Sequence, residues 1–240
     1  MTIATHPFNE FPNCFSSGLE DMRIYPDKSF SASSVSFGNG KAPQIVTGFI
    51  DTQKGCVVGM CHIKSPTGNE YQCEKNWIFV CGTPYIIYRW FPYELAVLCG
   101  DEIRVVLSMN LTPHYIFRNM RGSTPFTAYN RPANKSKISD WLIGVKHYII
   151  DKPNDSDIVR KYYHTLVILN PSTLIPYAIT SPFTFSEKHC IEFCIGMRFD
   201  LQTRQFTFWV SIMDESPTLF SIHDDAFDFH YIGGGWSENV

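Results

Sequence analysis

Residues 44–63 read QIVTGFIDTQKGCVVGMCHI, and this stretch decides the fold class. Gln44 to Ile50 is an apolar run rich in β-branched residues, and Cys56 to Ile63 is a second. Asp51 to Gly55 between them is a polar turn closed by glycine. β-Branched side chains pack well on a pleated surface, and glycine takes the positive φ that a short loop needs, so the stretch predicts a β-hairpin. The same punctuation recurs outward from it. Trp77 to Cys81 and Tyr85 to Trp90 are strand-length runs parted by Gly82-Thr83-Pro84. Glu94 to Cys99 fits one helical turn or a strand end. Glu102 to Met109 sets Ile103, Val105 and Leu107 against Arg104, Val106 and Ser108, the period of a half-buried strand. Trp141 to Ile150 and Ile158 to Leu169 flank an acidic turn. Leu174 to Ile179 is a short strand between Pro171 and Pro182, Thr184 to Cys194 reads as helix or strand, and Met197 to Leu201 pairs with Gln205 to Met213. Hairpins of this kind with little helix predict a mainly β fold, an antiparallel β-sandwich.

Residues 1–40 lack this periodicity and carry Pro7, Pro12, Pro26 and a serine-rich run from Ser29 to Ser36. They read as an N-terminal arm with room for one short helix near Ser16 to Arg23, where Ser17 and Glu20 have capping-box spacing. Residues 41–240 then form a single sandwich domain. Residues 110–140 read as a long polar loop, and Asp214 to Val240 as an irregular tail.

Charged residues make up 18% of the 240-residue chain and aromatic residues 15%, with a net charge of −3. That balance excludes the basic footprint of a nucleic-acid binder. Poor charge and many rings suit surfaces that become buried interfaces, although a β core also consumes Phe and Trp. Met1 to Pro12 have neither a basic start nor an apolar run, so no secretory leader is expected, and no stretch is long enough for a membrane-spanning helix. The eight cysteines are then expected to stay reduced, and the sequons at Asn110, Asn134 and Asn154 carry no meaning.

Few residue groups suggest chemistry. Cys56 with Cys61, and Cys190 with Cys194, lack the two-residue spacing of a zinc knuckle and read as buried thiols. The run from His223 to His230, with Asp224, Asp225 and Asp228, has the atoms of an acid–base or metal site, but a solvated acidic tail is the simpler reading. The basic stretch Arg118, Arg121, Arg131, Lys135 and Lys137 reads as a solvated loop rather than a phosphate site. Gly38-Asn39-Gly40-Lys41 is a turn, and no Walker loop, dinucleotide fingerprint or nucleophile elbow is present. No catalytic residue and no metal ligand is therefore assigned. The tyrosines are more informative. Tyr85, Tyr88 and Tyr93 share one apolar stretch, and Tyr162 and Tyr163 another. They read equally as strand packing or as interface anchors, because Tyr offers rigid area with a polar tip.

The order of segments resembles the cypovirus polyhedrins. The likeness rests on Gln44 to Cys61 as a long hairpin and on Glu102 to Thr127 as a strand with a basic loop. It rests also on Trp141, Gly144, Val145, Lys146 and Tyr148 with the strand from Tyr163 to Pro171, and on Cys190 to Met213 as a helix-and-strand region. Together these cover about half the chain. The resemblance implies a β-sandwich with a helical arm, and homotrimers packed into a crystal lattice. It further implies occlusion bodies in the cytoplasm of an infected host cell that embed virus particles and dissolve in alkali. It implies no cofactor, although some members hold a nucleotide between subunits, and no membrane or specific nucleic acid as partner. Tyr85, Tyr88, Tyr93, Tyr162 and Tyr163 are the candidates for interface contacts or an alkaline switch, since phenols ionise near pH 10 and a phenolate is poorly solvated inside a contact. Two alternatives remain open: a carbohydrate- or ligand-binding module with Trp90, Trp141 or Trp236 as platforms, and a small hydrolase using the run from His223 to His230.

Overall fold

The computed structural model describes residues 16–37, 42–69, 71–111, 117–129, 141–153, 158–186 and 191–232. The chain is mainly β, every named strand pair is antiparallel, and helix among the described residues amounts to little more than a short 3-10 turn at Asp224–Ala226. It divides into two compact units, residues 1–110 and 111–240.

In the first unit, β1 (Ser16–Ile24), β2 (Ser29–Phe37), β3 (Gln44–Asp51) and β4 (Cys56–Ile63) form one sheet in chain order. The hairpin read from residues 44–63 is β3 and β4, with Asp51 opposite Cys56 and Ile45 opposite Ile63. Gly55 closes its turn at φ 66°, where a side chain would be strained. A second sheet holds β5 (Ile78–Phe79), β6 (Tyr85–Trp90), β7 (Tyr93–Cys99) and β8 (Glu102–Met109). Ile45 and Ile63 from the first sheet meet Trp77, Ile86, Tyr88, Ala96 and Ile103 from the second in one apolar cluster. Phe30, Ala32 and Val57 form another. Gly48 makes that second cluster fit, because a Cβ there would stand 2.8 Å from the Phe30 ring and 3.0 Å from the Val58 carbonyl oxygen. Gly48→Ala is expected to cost about 1–3 kcal/mol through overpacking, measured as a lower urea midpoint with an unchanged slope.

In the second unit, β9 (Arg121–Gly122), β10 (Thr127–Tyr129), β11 (Trp141–Pro153), β12 (Ile158–Leu169), β13 (Pro176–Thr180) and β17 (Phe229–Tyr231) form a six-stranded sheet. The three-stranded sheet of β14 (Glu192–Asp200), β15 (Gln205–Ile212) and β16 (Ser216–His223) packs against it. Ile143, Val145, Leu166, Ile168 and Ala178 face Cys194, Phe206, Phe208 and Val210 across the shared core, with Tyr129 and Phe227 at its margins. Several rings meet tilted or edge-on, as Phe206 and Phe227 do at 5.7 Å and 80°, while Tyr129 stacks on Phe206 at 5.6 Å and 27°.

Several expectations are corrected. Among the described residues the two-layer sandwich is replaced by four sheets, because most strands pair with a sequence neighbour in short meanders, while β9 pairs with β11 and the chain returns after β16 to pair β17 with β13. The short helix near Ser16 to Arg23 is strand β1. The serine-rich run placed in the arm is β2, which gives β1 a ladder from Ser16 opposite Phe37 to Ile24 opposite Phe30, with a bulge between Glu20 and Arg23. A capping pair cannot hold a helix that has no apolar period behind it, whereas the ladder satisfies the backbone. Glu94 to Cys99 is strand, within β7. The loop at 110–140 contributes β9 and β10, both paired with β11. The tail contributes β16 and β17. Residues 1–15 of the expected arm lie outside the described residues.

Candidate functional site

The five tyrosines divide between the two units, with Tyr85, Tyr88 and Tyr93 in the first and Tyr162 and Tyr163 in the second. In the first unit, Tyr93 is buried beside Trp90, their ring centroids 5.7 Å apart. Tyr88 is buried edge-on to Trp77 at 5.2 Å and donates its hydroxyl proton to Glu74 Oε1 at 3.2 Å. Trp77 Nε1 donates to Glu74 Oε2 at 3.1 Å, and Arg89 Nη2 donates to the Tyr88 oxygen at 3.1 Å. Burial raises the Glu74 carboxyl above the usual carboxylate range and pushes the Tyr88 phenol up to about 12. Burial alone raises Tyr93 further. Tyr85, at the start of β6, is exposed. In the second unit, Tyr163 stacks on its cross-strand partner Tyr148 at 5.3 Å and 11°, under the Lys161 ammonium at 4.8 Å. Tyr162 stacks near His147 at 5.9 Å, and both it and Tyr163 are half-buried. Tyr85, Tyr162 and Tyr163 are thus the candidates that reach the surface, while Tyr88 and Tyr93 serve the core.

Tyr25 was not legible as part of this set. It is buried, its hydroxyl lies 2.8 Å from the Ser31 hydroxyl, and its oxygen accepts the Phe79 N–H at 3.3 Å. Burial pushes this phenol up to about 12 as well. Nothing in the local sequence marks it, because its partners come from β2 and β5.

The other candidates separate. Asp224 is buried and held by Arg204, with Nη2 2.7 Å from Oδ1 and Nε donating to Oδ2 at 3.3 Å. His223 Nδ1 sits 2.6 Å from Asp225 Oδ1, while His230 Nε2 lies 2.9 Å from the Ser181 hydroxyl, so the two histidines serve different partners. Cys56 is half-buried, Cys61 exposed and Cys194 buried, and burial raises the Cys194 thiol. Cys190 lies outside the described residues. Among the described residues no group of His, Cys, Asp and Glu could hold a metal ion. Arg118 and Arg121 are exposed, and Arg131, Lys135 and Lys137 lie outside the described residues. Trp90 is buried, Trp141 stacks on Tyr177 at 4.4 Å and 29°, and Trp236 lies outside the described residues.

Two buried polar groups in the second unit carry no sequence signal. Lys146 is fully buried, its ammonium donating to the Thr124 carbonyl at 3.1 Å above the Phe126 ring at 4.2 Å. His164, also buried, places Nε2 3.4 Å from Glu192 Oε2, and Glu192 accepts the backbone N–H groups of Phe185 at 2.8 Å and Ser186 at 2.7 Å. Burial lowers the His164 imidazole, so it is neutral near pH 7. These groups are enclosed and act as internal ties between strands and connecting segments.

The surface feature that stands out is the outer face of β14–β16. Gly196, Trp209 and Leu219 lie side by side across the three strands. Trp209 is 42% exposed and Leu219 59% exposed, with exposed Ile195 at the bulge beside Gly196. A Cβ at Gly196 would meet the indole at 3.3 Å, so the glycine lets the ring lie against the neighbouring strand. The alternation in β15 signals the face once β15 is known to be covered on one side only.

No protein-family model and no curated protein matches the chain. Among solved structures, a hypothetical protein from Leishmania major aligns over 92% of this chain and 88% of that one, at 9% identity and a TM-score of 0.40. Among the described residues no helix is long and apolar enough to cross a membrane.

Proposed function

We propose that this chain is a structural protein that assembles with copies of itself. In this reading, homotrimers pack into crystals in the cytoplasm of an infected cell, embed virus particles as occlusion bodies, and come apart in alkali. The observation that carries it is the large apolar surface on sheets whose other face is already packed, with Phe49 at 54% exposure in the first unit and Trp209 and Leu219 in the second. Such surface on a free chain favours association. Of the five candidate tyrosines, Tyr85, Tyr162 and Tyr163 reach the surface and are available to a neighbour. The buried phenols of Tyr25, Tyr88 and Tyr93 supply an alkaline weakness inside each copy. No catalysis, no cofactor, no membrane and no specific nucleic acid enter this reading, and a nucleotide trapped between copies is the one small molecule it admits.

A second reading, a carbohydrate- or ligand-binding β module, is favoured by one observation. Trp141 and Tyr177 stack while half-buried, and Tyr231, which is exposed, stands edge-on to Tyr177 at 5.3 Å. An open ring stack of this kind suits the apolar face of a sugar. Expression of the chain alone in insect cells separates the two. The assembly reading expects cytoplasmic crystals, large material at neutral pH and single chains near pH 11. Single chains at neutral pH would overturn it, and their retention on immobilised glycans would establish the second reading instead.

A further inference from the structure

We propose that residues 181–186 form an acid-released strap over the core of the second unit, closed while His164 beneath it is neutral and opened when that imidazole takes up a proton. The device does not depend on self-assembly. The strap, Ser181-Pro182-Phe183-Thr184-Phe185-Ser186, carries no charged side chain. One isolated bridge ties it to β12: the His164 N–H donates to the Phe183 carbonyl at 2.8 Å, and the Phe183 N–H donates to the His164 carbonyl at 2.9 Å. Glu192, at the start of β14, accepts from the Phe185 and Ser186 amides. At the other end the Ser181 hydroxyl meets His230 Nε2 on β17. Phe183 and Phe185 are half-buried and both rest on Phe208, with Phe183 also against Phe227 and Phe185 against Phe220. Two rings at the edge of the core are therefore held down by a short bridge and one carboxylate.

The imidazole under the strap is the weak point of that hold. It is wholly enclosed, 4.8 Å from the Phe185 ring and 5.9 Å from the Phe183 ring. Neither of its nitrogens has a hydrogen-bond partner among the described residues, and Glu192 Oε2, at 3.4 Å from Nε2, stands beyond a good hydrogen bond. A neutral imidazole fits among rings. An imidazolium there is a buried charge without hydrogen bonds, which is costly, and water is the partner it lacks. Lifting the two half-buried rings brings that water. The carboxylate acts in the same direction, because turning Oε2 toward an imidazolium draws it from the Phe185 amide it holds.

Few other titratable groups surround the site. Across β11, His147 is the direct partner of His164, with Nδ1 2.7 Å from the Ser123 hydroxyl, and a proton on it would add a like charge. Tyr162, on the same strand as His164, stacks near His147, and Lys146 spends its ammonium on the Thr124 carbonyl. Arg121 on β9, opposite His147, is exposed. β14 presents Glu192 and the buried Cys194 thiol. β13 and β15 carry no charged residue, and Tyr177 of β13 stacks on Trp141. His223, at the end of β16, sits on Asp225. Glu192 favours the imidazolium, but desolvation outweighs it and holds His164 below the ordinary histidine value. Opening therefore belongs to acid, below about pH 6.5.

The test is hydrogen exchange on the full chain, read by mass spectrometry on peptides covering the strap and, as internal reference, β11, β12 and β15, with rates corrected for the intrinsic effect of pH. The Phe185 and Ser186 amides are expected to exchange at least tenfold faster at pH 4.5 than at pH 7 while the reference strands keep their protection. Slow deuterium uptake at the His164 ring carbon Cε1, read on the same samples, reports its protonation, and its midpoint is expected to coincide with that of strap opening. His164→Gln, which keeps a neutral donor, and His164→Phe, which adds a third ring, are each expected to remove the pH dependence. Strap amides that stay protected at pH 4.5, that open only together with the reference strands, that open at a midpoint apart from His164 protonation, or that open alike in a folded variant would overturn the proposal.

Discussion

Raising the pH from about 9 to 12 is expected to unfold the first unit cooperatively, with tyrosinate absorbance and loss of strand signal rising together. The neutral phenol is the form that the fold favours, since burial raises Tyr25 and Tyr88 to about 12 and Tyr93 further. An unfolded tyrosine ionises near pH 10. The contribution of each is therefore intact below about pH 10 and lost as the pH rises through its folded value. For Tyr25, which is almost wholly enclosed, a two-unit rise corresponds to about 3 kcal/mol once the pH exceeds both values. Tyr93→Phe should move the alkaline midpoint up by half a pH unit or more. Tyr25→Phe should do the same while losing about 1 kcal/mol at neutral pH, because Ser31 and the Phe79 N–H lose a partner. Tyr85→Phe, at an exposed position, should leave the midpoint of the single chain where it was. Equal midpoints for wild type, Tyr25→Phe and Tyr93→Phe would show that these phenols do not set the alkaline limit.

Glu192→Ala is expected to be the most damaging single change in the second unit, at about 2–4 kcal/mol and a Tm lower by about 5–15 °C. The carboxylate holds the Phe185 and Ser186 amides and faces His164 in a dry site, so its removal strands two backbone donors beside an imidazole. Glu192→Gln keeps the size and one acceptor oxygen, and should recover part of the loss. His164 adds an acid limit. Burial lowers its imidazole, so the stability it contributes is complete above about pH 6.5 and is lost as the pH falls. A thermal scan across pH 4 to 8 checks both statements. An alanine variant within about 1 kcal/mol of wild type would mean that the carboxylate is not a structural tie.

How far the sequence could be read follows from where the stabilising partners lie. β3, β4, β6, β8, β11, β12 and β15 were legible because apolar runs and turn residues are local signals, and each strand pairs with its neighbour in sequence. β1 and β2 were not, because serine-rich strands with few apolar residues draw their stability from the ladder. The same limit hid the site residues. Trp77, Tyr88 and Glu74 lie close in sequence, yet only the fold turns both ring donors onto one carboxylate.

The amino-acid order by itself determined that this is a β protein of consecutive hairpins, since alternation and turn chemistry act over a few residues. It also fixed the supply of rings and the low charge. Tertiary structure decided which sheets share a core, that Tyr88 and Tyr93 face inward while Trp209 and Leu219 face out, and that Lys146, His164 and Glu192 are enclosed. Those outcomes depend on which sheet covers which face, a choice made by packing between segments far apart in the chain.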